Sequence, residues 1–190
     1  MEDYRGTQYF YLHAPGVSAK HLNVSFTLRE GNPDYEPYPT RLVAIWLENM
    51  NDEYLTSLFV SQWLSMDGYR YNSQFGKNYG CFVCPDWRDS LSWANTRKTD
   101  SLFVDAVTRP TPFFGKAVIA FNPLLWSTSS GSVQVCIENH LENEFNYLFR
   151  ATINLDADSA SAVPKVTYVP YRDPYSVEDA IQNVIIDYHK

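Results

Sequence analysis

The sequence contains few of the residues that usually reveal a function directly. Its 190 residues include three cysteines and eight glycines, and no apolar run approaches the roughly twenty residues that span a bilayer as a helix. Three cysteines are too few for a disulfide framework. The chain also lacks a glycine-rich phosphate loop, a G-x-S-x-G motif and an H-E-x-x-H motif. These absences argue against a disulfide scaffold, a transmembrane helix and the enzyme classes that such motifs identify.

Positive charge is also scarce. The formal net charge is −7, and lysine and arginine form no block. Nucleic acids and anionic membranes both select clustered positive charge, so we expect no nucleic-acid partner. The acidic residues are scattered along the chain, which is typical of a solvated surface. A protein, small-molecule or glycan partner stays possible, and the sequence does not determine the oligomeric state.

Aromatic and apolar residues are abundant and favour β-structure. Hydrophobic residues make up 45% of the chain and aromatic residues 16%, and aromatic side chains pack well on sheets but lose rotamer freedom on helices. Alternation of apolar and polar residues, or short apolar runs bounded by turn residues, predicts strands. These strands cover 23–30, 41–48, 54–60, 116–122, 132–138, 146–155 and 163–169.

About seven short strands with no alternating helices predict an all-β fold. We expect a single domain over residues 1–190, with an antiparallel β-sandwich of immunoglobulin or fibronectin-III type over residues 20–170. The cysteine–tryptophan–cysteine spacing of antibody domains is absent, so only the architecture is implied.

Two segments depart from this pattern. Residues 62–95 form a long, polar and aromatic insertion, which is either functional or packed by its own side chains. Residues 176–188 are predicted to form a C-terminal helix. Ser176 and Asp179 resemble a capping box, and an apolar stripe follows at helical spacing. The stripe consists of Ile181, Val184, Ile185 and Tyr188. This helix would pack on the sandwich or dock onto another chain.

The insertion supplies candidate ligand-binding residues. Rings with an apolar face and a polar edge stack against sugars or flat cofactors. The candidates are Trp63, Tyr69, Tyr71, Trp87 and Trp93. The alternative, which we favour, is that they form a small core beneath their own loop.

Cys81 and Cys84 lie in the sequence C-F-V-C-P and are the candidate metal ligands. Such a pair serves as a redox site, half a zinc site, a haem attachment site or a local disulfide. Pro85 stands where haem attachment needs histidine, and the chain lacks the β-α-β setting of thioredoxin-like sites. We therefore favour a disulfide or free thiols.

A zinc site would need two further ligands, and the remaining candidates show no paired spacing. They are Cys136, His140, His13 and His21. Alternation along residues 132–138 places Cys136 on the strand face of Gln134 and Glu138, so we expect its thiol to be partly exposed.

Two segments together resemble a known family. They are R-L-V-A-I-W-L-E-N-M-N-D-E-Y-L-T-S-L-F-V over 41–60 and V-D-A-V-T-R-P-T-P-F-F-G over 104–115. This combination is similar to a bacterial family of exported proteins of unknown function. The resemblance implies an extracytoplasmic β-sandwich, in the periplasm or at the cell surface, whose signal peptide has been removed. It implies no activity and therefore assigns no functional residues.

The second of these segments also contains candidate cofactor-binding residues. Asp105, Thr108 and Thr111 have the spacing of a D-x-x-[ST]-G-A-T motif, in which a flavin transferase attaches FMN to the last threonine. Arg109 and Pro110 replace the small residues of that motif, and proline also fixes φ and removes a donor. The alternative is that Asp105 accepts backbone N–H bonds within a loop.

From these patterns we expect a non-enzymatic binding or structural module with no resident cofactor. A redox-associated protein that binds flavin or metal is one alternative. A carbohydrate-binding module that uses the aromatic insertion is the other.

Overall fold

A computed structural model describes residues 6–11, 21–28, 42–61, 107–109, 115–121, 130–140, 147–168 and 181–190. These residues form eleven β-strands and include no helix. The strands are β1 (Gln8–Tyr11), β2 (His21–Leu28), β3 (Leu42–Glu48), β4 (Tyr54–Ser61), β5 (Val107–Arg109), β6 (Gly115–Phe121), β7 (Ser132–His140), β8 (Tyr147–Asn154), β9 (Ser159–Ala162), β10 (Lys165–Tyr168) and β11 (Ile181–His189). The prediction of a mainly β protein is confirmed for this part of the chain.

The strands form two sheets. One has five strands in the order β1-β6-β2-β11-β9, and the other has six in the order β10-β8-β7-β3-β4-β5. Most neighbours are antiparallel, as predicted. Two pairs are parallel instead, β1 with β6 and β4 with β5, so the prediction of wholly antiparallel sheets is wrong at these two positions. Both parallel pairs involve a short strand at the end of the strand order.

The two sheets share one core in a sandwich-like arrangement. Along β2, alternate residues from Leu22 to Leu28 are buried, and the residues between them are partly or fully exposed. The same alternation in β6, β7, β8 and β11 places one apolar face of each sheet in a single buried cluster. Burial of apolar surface, at about 25 cal/mol per Å², is the main stabilising term for such a layer. The central strand β3 is buried on both faces, as its apolar run predicts.

The predicted C-terminal helix is wrong over residues 181–188, which belong to strand β11; residues 176–180 lie outside the described ranges. The cause is a β-bulge between Gln182 and Ile185, where Asn183 has a φ of 52°. The extra residue places the buried Ile181 and Val184 three positions apart, which imitates helical spacing. Beyond the bulge the period is two, and Ile186 is buried next to the exposed Ile185.

The turn between β3 and β4 is held by its own side chains. Asn49 Oδ1 accepts hydrogen bonds from the backbone N–H groups of Asn51 (2.8 Å) and Glu53 (3.0 Å). Asp52 has a φ of 60°, a left-handed conformation that aspartate tolerates better than most residues. This tight connection fixes the position of Glu48, the last residue of β3.

Candidate functional site: a buried charged cluster on the six-stranded sheet

The outer face of the six-stranded sheet carries charged side chains that are buried. Alternation along β3 directs Val43, Ile45 and Leu47 into the shared core, and therefore directs Trp46 and Glu48 to the opposite face. On that outer face Trp46 is 0% exposed and Glu48 is 1% exposed. Burial of a carboxylate is costly unless it is paired and hydrogen-bonded. The partners of Glu48 therefore define the site.

Three neighbouring strands supply these partners. The outer-face cluster consists of Trp46 and Glu48 on β3, Cys136 and Glu138 on β7, and Arg150 on β8. Backbone register places Trp46 opposite Cys136, and Cys136 opposite Arg150, so these three residues form one row across the sheet. Glu48 lies one step along the same face from Trp46, and Glu138 one step along the same face from Cys136.

Glu48 joins a hydrogen bond and an ion pair. Trp46 Nε1 donates to Glu48 Oε1 at 2.8 Å. Arg150 Nη2 lies 3.6 Å from Glu48 Oε2, and the arginine side chain is 33% exposed. The cluster thus reaches solvent through Arg150, whereas the carboxylate and the indole lie below the surface. The two contacts link Glu48 to its own strand and to β8 on the far side of β7.

Cys136 is buried, so the prediction of a partly exposed thiol is wrong. The alternation that placed it on the outer face was correct, but at this position the outer face is itself buried. Burial raises the pKa of the thiol well above its usual range, and the negative charge of Glu48 raises it further, whereas Arg150 partly opposes the shift. Both effects disfavour the thiolate, which is the form that nucleophilic attack and metal ligation use.

A second polar contact borders the cluster on β4. Ser57 pairs with Trp46 through the backbone register and is buried. The hydroxyl groups of Tyr54 and Ser57 are hydrogen-bonded at 2.6 Å. Further along β4, Ser61 Oγ accepts a hydrogen bond from the backbone N–H of Val43 at 2.8 Å. Buried polar side chains on β4 are thus used to bind neighbouring groups of the sheet.

Of the predicted flavin-, metal- and ligand-binding residues, the structure describes the position of one; of the further zinc candidates, it describes Cys136 and His140 on β7 and His21 on β2. Thr108 lies on β5, and its backbone pairs in parallel with that of Val60 on β4. The other predicted residues lie outside the described ranges, and their roles stay predictions: Asp105 and Thr111 for flavin, Cys81 and Cys84 for metal, and Trp63, Tyr69, Tyr71, Trp87 and Trp93 for ligand stacking. The 62–95 insertion lies outside these ranges as well.

Two features are absent from the described residues. No three or more histidine, cysteine, aspartate or glutamate side chains in this part of the chain come close enough together to hold a metal ion. The same residues include no helix that is long and apolar enough to cross a membrane.

The sequence did not predict the outer-face cluster, although one signal was present. Glu48 ends the run R-L-V-A-I-W-L-E, whose middle residues are apolar on both strand faces. A carboxylate in such a run, two positions after a tryptophan, lies on the same strand face as the indole. Its partner Arg150 comes from a strand much later in the sequence, and only the strand order brings the two together.

Comparisons with family models, with curated proteins and with solved structures find no match to this chain. The described residues define a mainly β protein of two sheets, with a buried charged cluster on the outer face of one sheet.

Proposed function

We propose that this protein is a non-enzymatic binding or structural module with an immunoglobulin- or fibronectin-III-like β-sandwich fold that works outside the bacterial cytoplasm. One observation carries the proposal: the Glu48 carboxylate and the Cys136 thiol of the outer-face cluster lie below the surface. Glu48 is engaged by Trp46 and Arg150, and Cys136 is buried. Groups engaged in this way hold three strands in register and are poorly placed to act on a substrate.

The electrostatics of Cys136 support a structural role. An acid–base or nucleophilic centre needs a group whose pKa lies near the working pH and that a substrate can reach. The pKa of the Cys136 thiol is shifted in the opposite direction, away from thiolate formation, by burial and by the charge of Glu48. A buried polar network of this kind specifies strand register, which is the requirement of a rigid scaffold.

In a scaffold of this type, the loops supply the binding surface and the sheets hold them in place. The partner would be a protein, a small molecule or a glycan, because the charge pattern disfavours nucleic acid. The extracytoplasmic location follows from the sequence resemblance over 41–60 and 104–115. A flavin- or metal-binding protein and a carbohydrate-binding module stay the alternatives to be tested.

The experiment combines one composition measurement with one binding measurement on tag-free protein. If the protein is a binding module, we expect it to be colourless and to lack stoichiometric metal when purified. We also expect it to retain a ligand from a broad set of glycans, peptides and small molecules. Visible flavin absorbance, or one metal ion per purified chain that is lost in Cys81→Ser/Cys84→Ser, would support the redox alternative instead. Retention of glycan that is lost in Trp63→Ala or Trp93→Ala, but not in Trp46→Phe, would select the carbohydrate-binding alternative.

Two further variants separate structural from catalytic roles in the outer-face cluster. Cys136→Ser and Glu48→Gln preserve the shape of each side chain, so ligand retention is expected to persist in both. A turnover reaction that is abolished by either substitution, in protein that remains folded by circular dichroism, would overturn the non-enzymatic assignment. Fractionation of cells that express the gene from its own locus tests the compartment, and the proposal requires the protein outside the cytoplasm.

A further inference from the structure

Two histidines lie side by side on the outer face of the five-stranded sheet. His21 begins β2 and His189 ends β11, and the register pairs them directly. Their strand neighbours Leu22 and Tyr188 point into the core, so both imidazoles point outward, where they are exposed. The ring centroids are 5.2 Å apart, with an angle of 33° between the ring planes.

This separation matches two imidazoles that share one metal ion. An imidazole nitrogen lies about 1.1 Å from its ring centroid and binds zinc at about 2.0–2.1 Å, so each centroid would lie about 3.2 Å from the metal. With centroids 5.2 Å apart, the angle between the two rings at the metal is about 110°, close to the tetrahedral angle that zinc prefers. The centroid spacing is thus compatible with a site in which each of two histidines supplies one ligand.

The backbone that carries the two rings is held on both strands. From Ile186 to His189 the pairing of β11 with β2 is regular, because the bulge lies at the other end of the strand. Tyr188, directly before His189, donates a hydrogen bond from its hydroxyl to the Leu155 carbonyl at 3.0 Å. Lys190, directly after it, donates its backbone N–H to the Asp158 carbonyl at 2.9 Å. A site on strands fixed in this way loses little entropy when it binds a ligand.

A carboxylate on the same face is already hydrogen-bonded to another side chain. Asp187 is two residues before His189 on the same face, and its Oδ1 accepts a hydrogen bond from Ser161 Oγ at 2.6 Å. Two imidazoles with water in the remaining positions form an exchangeable site, unlike the closed four-ligand sites of structural zinc. Imidazole donors select zinc, copper and nickel, whereas calcium and magnesium select oxygen donors.

We propose that His21 and His189 form a binding site for one divalent transition-metal ion of the zinc, copper or nickel type. The site links β2 to β11 across the surface of the five-stranded sheet. It is independent of the function proposed above, because it uses neither the outer-face cluster nor the loops. It differs as well from the metal site predicted at Cys81 and Cys84.

Titration calorimetry with Zn²⁺ on tag-free protein tests the site. A Cys81→Ser/Cys84→Ser background removes two of the three thiols, and the third, Cys136, is buried. We expect one ion per chain, and a loss of affinity of about tenfold or more in His21→Gln and in His189→Gln, since each removes one of two ligands. The matched control is His140→Gln on the other sheet, which is expected to bind as the parent does. Absence of binding, or equal binding in all three variants, would overturn the proposal.

A second measurement needs no substitution. Paramagnetic Ni²⁺ added to the unmodified protein is expected to broaden the imidazole NMR signals of His21 and His189 first, with the signals of the other two histidines affected only at higher concentration. Broadening that begins at another histidine would locate metal binding elsewhere and refute the site. Unchanged signals from both rings would show that the two imidazoles only contact each other, and would likewise refute the metal site.

Discussion

The role of Glu48 as a hydrogen-bond acceptor inside the six-stranded sheet leads to a quantitative prediction. Glu48→Ala removes the acceptor of the Trp46 indole N–H. An orphaned buried donor costs about 1–3 kcal/mol, and the space left by the side chain adds about 1–2 kcal/mol. The ion pair contributes little, about 0–1 kcal/mol, because Arg150 is 33% exposed and screened by solvent. We therefore expect Glu48→Ala to lower the free energy of unfolding by about 2–6 kcal/mol.

Glu48→Gln is the matched comparison, because it keeps the shape of the side chain and one oxygen at the acceptor position. The amide oxygen accepts the Trp46 hydrogen bond, whereas the charge and the second oxygen, which faces Arg150, are lost. The expected cost is about 1 kcal/mol, so the two variants should differ by at least about 1 kcal/mol. Urea unfolding monitored by far-UV circular dichroism measures both values without relying on tryptophan fluorescence. Asp158→Asn is the control, because it removes only a 4.0 Å ion pair with Lys190 at a fully exposed carboxylate, and it should leave the unfolding midpoint almost unchanged.

A double-mutant cycle isolates the hydrogen bond from other effects of the substitution. Trp46→Phe removes the indole N–H, so no donor is orphaned when Glu48 is then changed to alanine. In that background the difference between the alanine and glutamine variants should shrink by about 1–3 kcal/mol. Equal destabilisation by Glu48→Ala and Glu48→Gln in the parent protein would show that the charge of Glu48 matters and its acceptor role does not. That result would refute the reasoning.

Three further predictions follow from other positions. In a Cys81→Ser/Cys84→Ser variant, Cys136 should not react with a thiol reagent at pH 8 until the protein unfolds. Burial excludes the reagent and raises the pKa of the thiol. Labelling of the native protein at the rate of a free thiol would contradict this prediction. Burial raises the pKa of Tyr188 in the folded protein, and the charge of Asp156 raises it further by a smaller amount. The stabilisation that the protonated Tyr188 hydroxyl provides is therefore complete below about pH 10 and declines as the pH rises further. Tyr188→Phe should therefore lower the free energy of unfolding by about 1–2 kcal/mol at pH 7, because the hydrogen bond is lost. In urea unfolding, the variant should lose less stability than the parent as the pH rises above about 10. An identical dependence of stability on pH in both proteins would contradict the raised pKa of Tyr188. Asn183→Gly should leave the free energy of unfolding unchanged, whereas Asn183→Val should lower it by about 1–2 kcal/mol, because only valine is strained at positive φ. Equal unfolding midpoints for the two variants would argue against the bulge at Asn183.

Much of the strand pattern was predictable from local sequence. The period-two alternation over residues 146–155 correctly predicts β8 and its buried face from Phe149 to Ile153. The turn residues after Glu48 correctly predict the antiparallel return of β4. Such signals are local, since they depend only on which side chains share a strand face.

The remaining features depend on contacts between distant parts of the sequence. The bulge at Asn183 changes the spacing of apolar residues in β11 and imitates a helix, and only the pairing with β2 shows otherwise. The short parallel strand β5 carries too few residues for a pattern. The burial of Cys136 depends on what lies over an outer sheet face, which alternation cannot reveal. The pairing of His21 with His189 likewise requires the strand order.

The position of β11 in the strand order has a consequence for biosynthesis. This strand follows all the other described strands in the chain, yet it lies between β2 and β9 in the five-stranded sheet. While the chain leaves the ribosome, β2 and β9 lack the strand that joins them, so the sheet is completed only after β11 has been synthesised. Pairings between distant segments form slowly, and unpaired strand edges invite aggregation during the delay. Translation that stops before β11 should therefore yield an aggregation-prone chain that chaperones must hold.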